Sequence, residues 1–453
     1  MNARSENPGM LADLYEFTMA ASYFEHRVFA PATFSLFIRN YPENRNYFVS
    51  AGLEQVLEFL QELHFEQADL DFLASRVPFS DDFLQYLSEL CFTGDVFAIP
   101  EGRLFFEDEP VLEVTGPMIE AQIAETFVIN QINFQTSVAT KAARCFHAAG
   151  GRNLVDFSLR RTQGFDAGNA VARASFIGGF DGTSDVLGGK LFDIPIFGTM
   201  AHSFVTAFDS ETDSFRAFAE TFPKTSTLLI DTYDTVAGAR KAARVAKEME
   251  ARGDRLRAVR LDSGDIAALS KEVRRVLDEA GLEYVGIFAS GGFDEYEVAE
   301  VLSAGGQING FGVGTKMGVS ADAPYTDMAY KLVEYDGRPI LKLSTGKATL
   351  AGQKQVFRHV EQDRIARDEI ALRGESCDGE PLLAPVMEKG KRLLPTEPLT
   401  QIRDRFKSEF SKLDDEYKDL AARPRLPVGL SRGLQELQAK AEQHVRETEL
   451  GES

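Results

Sequence analysis

The chain has 453 residues, 44% of them hydrophobic and 26% charged, which is the composition of a globular protein large enough for two domains. Its net charge of −21 excludes the broad neutralisation of phosphates on which nucleic-acid binding rests, although a few converging basic groups can still hold a small anion. Three cysteines without CxxC spacing, no apolar core of signal-peptide type near the start and no long uncharged apolar run predict a cytoplasmic protein with neither a disulfide scaffold nor a membrane span.

Residues 10–26 carry apolar side chains at helical spacing and predict a helix with Asp13 and Tyr15 near its start. A core position is the simplest reading of Tyr15 taken alone. A strand ending at Arg39, a polar turn containing Arg45 and a helix from Leu53 follow. Residues 95–116 alternate apolar and polar with Gly and Pro breaks, as antiparallel strands do. Pro117 then opens a long helical stretch that closes at Gly150 and Gly151, the usual asymmetry of helix ends.

Three apolar runs, 153–159, 174–180 and 194–200, read as strands that finish in polar groups. The first delivers Arg160, Arg161 and Thr162, the second Asp181, Ser184 and Asp185, and the third Thr199 with His202 close behind. The pattern continues with 226–234 (Asp231, Asp234), 258–265 (Arg260, Asp262, Asp265), 284–292 (Ser290, Gly291, Gly292) and 308–316 (Gly314, Thr315), separated by predicted helices. The helix after Gly292 begins with Asp294 and has Glu297 three residues on, a capping-box spacing. Such alternation belongs to an α/β fold, either a (β/α) barrel or a doubly wound sheet, and polar residues arriving at successive strand ends favour the barrel. Residues 327–358 read as a hairpin followed by a lysine-bearing loop, and 398–450 as amphipathic helices. The expected division is an N-terminal α/β domain over 1–116, an irregular barrel over 117–358, and a C-terminal helical tail over 359–453 that packs back on the N-terminal domain.

Glycines in the 289–292 and 310–315 turns let backbone N–H groups converge on a phosphate, and Thr315 adds a hydroxyl. Neither turn has the spacing of a P-loop or a dinucleotide fingerprint. Arg260 and Asp262, two apart at a strand end, point the same way; they form either a structural ion pair or a pair of ligands for an anion and vicinal hydroxyls. His202 is the one histidine of six in a Gly/Thr/Ser-flanked setting, and without HxH or HExxH spacing it suits nucleophilic or acid–base work better than metal binding.

The motifs DLYEFTM, FIRNYPENRNYFVSAGL, TGPMIEAQIAETFVINQINFQTSVATKAAR, DFSLRRTQG, GGFDGTSDV, GTMAHSFV, LLIDTYD, VRLDSGD, FASGG, FGVGT and KLSTGKATLAGQKQVFR occur in that order. Together they resemble nicotinate phosphoribosyltransferases, which are type II phosphoribosyltransferases, over about residues 10–360. The resemblance implies an irregular α/β barrel beside a smaller α/β domain, and a homodimer with shared active sites. It also implies transfer of phosphoribose from phosphoribosyl pyrophosphate to nicotinate, with Mg²⁺ and with ATP as a coupling substrate, in an enzyme of ligase type. By the same resemblance His202 is the histidine that ATP phosphorylates. Tyr15, contributed by a partner subunit, and Phe157 sandwich the pyridine ring, with Arg160, Thr199 and Arg260 around it. Asp262 belongs to the ribose, with Asp231 and Ser290 on the phosphoribosyl side. Gly291, Gly292, Gly314 and Thr315 hold phosphate, while Arg39, Lys342, Lys347 and Lys354 lie toward the pyrophosphate. No residue is assigned to the metal. Ser158 stands where the pattern has Gly. In nicotinamide-using relatives an Asp occupies the place of Ser184; a hydroxyl there can donate to a carboxylate, which predicts nicotinate as the base, with Asp185 turned away to cap the next helix. The competing readings are transfer to nicotinamide or quinolinate, and a non-catalytic ligand-binding relative.

Overall fold

The structure, a computed structural model, describes residues 8–343 and 349–451. The chain divides into two compact units, one made of residues 1–137 and 323–453, the other of residues 138–322.

In the first unit, seven strands form an antiparallel sheet in the order Arg338–Pro339, Met328–Tyr335, Pro31–Ile38, Leu112–Pro117, Asp95–Ala98, Ala384–Glu388, Lys391–Arg392. The strand Pro31–Ile38 is buried along nearly its whole length, which is why it reads as a continuous apolar run. The helices Leu14–Glu25 and Leu53–Glu62 send Phe17, Ala20, Val56 and Leu60 into the same core. Val356, Ile370, Leu382, Leu383, Met387 and Leu434 join that core from the far end of the chain.

These contacts explain why the boundaries fall at 137/138 and 322/323 rather than at 116 and 358. The helix Glu125–Ala149 opens with Val128 and Ile132 in the first unit's core, so the change of unit lies inside one helix, where periodicity leaves no mark. The strand Met328–Tyr335 pairs with Pro31–Ile38, and Tyr330 stacks on Phe34 with ring centroids 4.8 Å apart. The segment after 358 is not simply helical either. Arg364–Leu372 pairs with Lys354–Glu361 and with Val428–Leu430, ahead of and between the helices Leu399–Lys412 and Arg432–Glu449. Lys354 is buried there, its Nζ donating to the Leu350 and Gly352 carbonyls and lying 3.1 Å from Glu113, so it is a core residue and not a pyrophosphate ligand.

The second unit holds six parallel strands in the order Gly182–Thr183, Asn153–Asp156, Gly310–Val313, Gly286–Ala289, Ala258–Leu261, Thr227–Leu229. Val155, Thr227, Ala258, Ile287 and Gly310 line one cavity of about 510 Å³, so the sheet curls into an incomplete barrel. Gly286 and Gly310 put no side chain into that interior, which keeps it open. The helices Thr235–Ala251, Ile266–Glu279 and Glu295–Ser303 return the chain between strands, and Asp294 with Glu297 forms the capping box that its spacing predicts.

Two predicted strands are absent. Residues 174–177 close the helix Phe165–Ile177, which ends at Gly178 and Gly179; a short continuous apolar run suits a buried helix end as well as a buried strand. Residues 194–200 form no strand; they touch the sheet through an isolated bridge of Ile196 to Thr183, whose N–H donates to the Pro195 carbonyl and whose carbonyl accepts from the Phe197 N–H.

Candidate active site

Arg260, near the end of the strand Ala258–Leu261, gathers the site. Its Nε donates to Ser290 Oγ at 2.8 Å, Nη1 to Thr199 Oγ1 at 3.1 Å and to the Met200 carbonyl at 2.9 Å, and Nη2 to Asp262 Oδ1 at 2.9 Å. The guanidinium also lies 5.9 Å from the Phe157 ring centre, within cation–π range. Five residues that the sequence scatters over more than a hundred positions therefore meet on one side chain.

Asp262 accepts a further short hydrogen bond from Ser290 Oγ. Partial burial pushes its carboxyl up, but Ser290, Arg260 and the nearby His202 more than offset this and hold it below the usual carboxylate range. It is an anion at neutral pH. One strand over, Asp231 Oδ2 accepts from the Asp262 backbone N–H at 2.9 Å and from Ser263 Oγ at 2.7 Å, while its Oδ1 is buried with no hydrogen-bond partner. His202 opens the short helix His202–Thr206 instead of ending a strand, and its Nδ1 lies 3.1 Å from Thr232 Oγ1.

Phe157 follows the strand Asn153–Asp156, and Gly312 beside it is required by packing: a Cβ there would come within 2.5 Å of the Phe157 ring. Asp156, which sequence reasoning passes over, ties two strand ends together. Its Oδ1 accepts from the Ser158 N–H at 2.8 Å and its Oδ2 from Thr183 Oγ1 at 2.7 Å. Ser184 N–H in turn donates to the Asp156 carbonyl, which fixes the Ser184 backbone next to Phe157. Asp185 is buried and caps the helix Val186–Phe192 through the Leu187 N–H, as the sequence predicts. Ser158 has φ −92°, a conformation open to any residue, so Ser is tolerated where the pattern has Gly. Arg160 is exposed in the turn Leu159–Arg161 and makes no hydrogen bond or ion pair among the described residues.

The two glycine turns flank this cluster. Gly291 (φ +110°) and Gly292 (φ +88°) need glycine, and a Cβ on Gly291 would strike the Asp262 carbonyl. A Cβ on Gly292 would meet nothing within 4 Å, so the backbone there faces open space. Gly314 sits against the Phe157 carbonyl and precedes Thr315, the exposed first residue of the helix Thr315–Gly318.

Tyr15 and Arg39 belong to the first unit. Tyr15, in the first turn of Leu14–Glu25, is 45% exposed and not a core residue, with burial and the adjoining Glu125 pushing its phenol up. Arg39 pairs with Asp327 at 3.5 Å. Lys342 is exposed, and Lys347 lies outside the described residues.

The family models and the curated relatives agree along the chain. Three family models match: the nicotinate phosphoribosyltransferase N-terminal domain over residues 10–133, the nicotinate phosphoribosyltransferase family over 152–363 and the C-terminal domain over 340–438. A nicotinate phosphoribosyltransferase of Mycobacterium tuberculosis is 48% identical over 93% of this chain and 90% of its own length. One of Bacillus subtilis is 35% identical over 94% of each chain. The crystal structure of human nicotinic acid phosphoribosyltransferase superposes with a TM-score of 0.84 at 30% identity, covering 95% of this chain and all of that one. The chain belongs to the nicotinate phosphoribosyltransferase family.

Proposed function

We propose that the chain joins nicotinate to phosphoribosyl pyrophosphate, releasing nicotinate mononucleotide and pyrophosphate, and that ATP hydrolysis drives the turnover. The observation that carries this reading is the Arg260 cluster, which sets a cation, an aromatic face and an ionised carboxylate beside two glycine turns.

Displacement at the anomeric carbon develops positive charge on the ribose and negative charge on the departing pyrophosphate. The pyridine nitrogen is itself the nucleophile, so the protein's work is to orient the ring and stabilise charge. Phe157 stacks the ring, Ser184 and Arg160 are donors available to its carboxylate, and ionised Asp262 accepts from ribose hydroxyls. Asp231 Oδ1, buried and without a protein partner, supplies a hard oxygen suited to Mg²⁺. Among the described residues no three His, Cys, Asp or Glu side chains converge as a metal cage, which fits an ion held largely by substrate oxygens and water. Bound with pyrophosphate, Mg²⁺ would neutralise charge gathering on the leaving group.

With Nδ1 engaged by Thr232, His202 keeps Nε2 to accept the ATP γ-phosphoryl group; the phosphorus–oxygen bond to ADP breaks as the phosphorus–nitrogen bond forms, and water later releases phosphate. The half-exposed Tyr15 and its neighbour Leu14, 55% exposed, favour a homodimer in which Tyr15 of the partner subunit completes the ring sandwich. No described helix is long and apolar enough to cross a membrane.

The test is product formation from nicotinate, nicotinamide or quinolinate with phosphoribosyl pyrophosphate, each with and without γ-labelled ATP, for the wild-type chain and His202→Ala. Product from nicotinate alone, stimulated by ATP, with acid-labile label that disappears in the variant, is expected. Product only from another base contradicts the substrate, and undiminished label in His202→Ala contradicts the coupling residue.

A further inference from the structure

Lys141 is wholly buried, and no step described above uses it. It lies on the helix Glu125–Ala149, and its Nζ stands 2.6 Å from Glu295 Oε2, 2.8 Å from Asp322 Oδ1 and 3.8 Å from Asp294 Oδ2. Arg144, one turn on, donates to Glu295 Oε1 at 2.8 Å and to the Tyr296 hydroxyl at 2.9 Å. Burial works against the ammonium, but Glu295 and Asp322 more than offset it and raise the Lys141 pKa above its ordinary value.

The placement of the three carboxylates is what matters. Asp294 caps the helix that leaves the Ser290–Gly292 turn, and Glu295 is that helix's first residue. Asp322 lies four residues past the end of the short helix Thr315–Gly318 that leaves Gly314. Lys316 closes the arrangement on the open side, 3.7 Å from Asp294 and bonded to Glu297. One ammonium thus fastens the rear of both glycine turns to a single helix. Burying charges is costly even when they are paired, and apolar side chains of the same volume often give equal stability, so stability alone is a poor account of such a cluster. What the cluster does supply is a fixed spacing between two backbone turns, and backbone N–H groups stabilise a phosphate only when held in place beforehand.

We infer that Lys141 is a positioning residue for phosphoribosyl pyrophosphate, holding the 290–292 and 314–315 turns at the separation its phosphate needs. This rests on the reading proposed above. The residue touches no substrate, so its loss should act on one substrate and spare the other.

The experiment compares Lys141→Met and the milder Asp322→Asn with the wild-type enzyme in steady-state kinetics against phosphoribosyl pyrophosphate and nicotinate, with thermal unfolding in parallel. The KM for phosphoribosyl pyrophosphate should rise about tenfold in Lys141→Met and less in Asp322→Asn, with the KM for nicotinate within about twofold and His202 labelling retained. Asp322→Asn keeps the side-chain volume and leaves the ammonium with Glu295, so it reports even where Lys141→Met does not fold. Equal rises in both KM values, or a lowered melting temperature with neither KM changed, would overturn the inference and leave a structural role. A wild-type enzyme that fails to use phosphoribosyl pyrophosphate would overturn the functional reading itself, and this inference with it.

Discussion

Asp262, bonded to the arginine that lies near the Phe157 ring, and Glu16, next to Tyr15 in the chain, are both carboxylates that burial works against, and the protein treats them in opposite ways. Asp262 has Arg260 and Ser290 as donors and is held below the usual range despite its burial. Glu16 is buried on the helix that carries Tyr15, accepts only from the Thr126 N–H and hydroxyl through Oε1, and keeps a buried Oε2 with no hydrogen-bond partner. Burial pushes it up to about 8, helped by Glu125 and Asp13. What separates the two is the balance of donors: at Asp262 the Ser290 hydroxyl and the Arg260 guanidinium together outweigh burial, whereas at Glu16 the Thr126 hydrogen bonds act without a cation and burial prevails. Asp262 is therefore kept ionised, and Glu16, next to Tyr15 in the chain, is kept protonated near neutral pH.

The comparison breaks most decisively at Arg260. Arg260→Met removes four hydrogen bonds and the charge above Phe157, and kcat/KM for the nicotinate reaction should fall by about a thousandfold. The Asp262 carboxyl loses its cation and moves up, so the acid limb of the remaining pH–rate profile should shift to higher pH. An unshifted acid limb would show that Arg260 does not set the Asp262 charge.

Mixing Tyr15→Ala with Arg260→Met tests whether the two regions meet across subunits. If a dimer shares its sites, hybrids regenerate one intact site, and activity should return to about a quarter of wild type after subunit exchange. No recovery with exchange verified would contradict a site shared between subunits.

A smaller effect is expected at Ser184, where charge is added and not removed. Ser184→Asp puts a carboxylate where nicotinate's own carboxylate is read to lie, and should cost about 1–3 kcal/mol in kcat/KM for nicotinate. The same change should leave nicotinamide, which carries an amide, less affected.

The smallest effect belongs to Glu16. Between its ordinary value of 4.5 and about 8 the folded chain holds a proton on Glu16 that the unfolded chain has lost. Stability from this group is thus fully present below pH 4.5 and is lost as pH rises through about 8. Glu16→Gln should flatten that decline in melting temperature, and an unchanged pH dependence would assign the decline to other groups.

Much of this was legible in the sequence because local chemistry decided it. The Asp294–Glu297 capping box, the helix Thr235–Ala251 and the pairing of Arg260 with Asp262 each follow from spacing within a few residues. Other features depend on partners far along the chain. The run at 174–177 is helical, and sequence periodicity over so short an apolar stretch cannot separate a helix end from a strand. Lys354 reads like an anion ligand in a lysine-bearing loop until Glu113 is seen beside it, more than two hundred residues away in sequence. Lys141 and Asp156 gave no signal at all, since a lone charged residue in an apolar segment acquires meaning only from the groups folding brings around it.

The most direct test of the account is the ratio of kcat/KM for nicotinate to that for nicotinamide in the wild-type enzyme, with phosphoribosyl pyrophosphate and ATP saturating. A site with Ser184 and Arg160 open to a carboxylate, and with Asp185 committed to capping a helix, predicts a ratio of about a hundred, the upper end of the roughly 1–3 kcal/mol that an unmatched polar group costs. A ratio near one would contradict it.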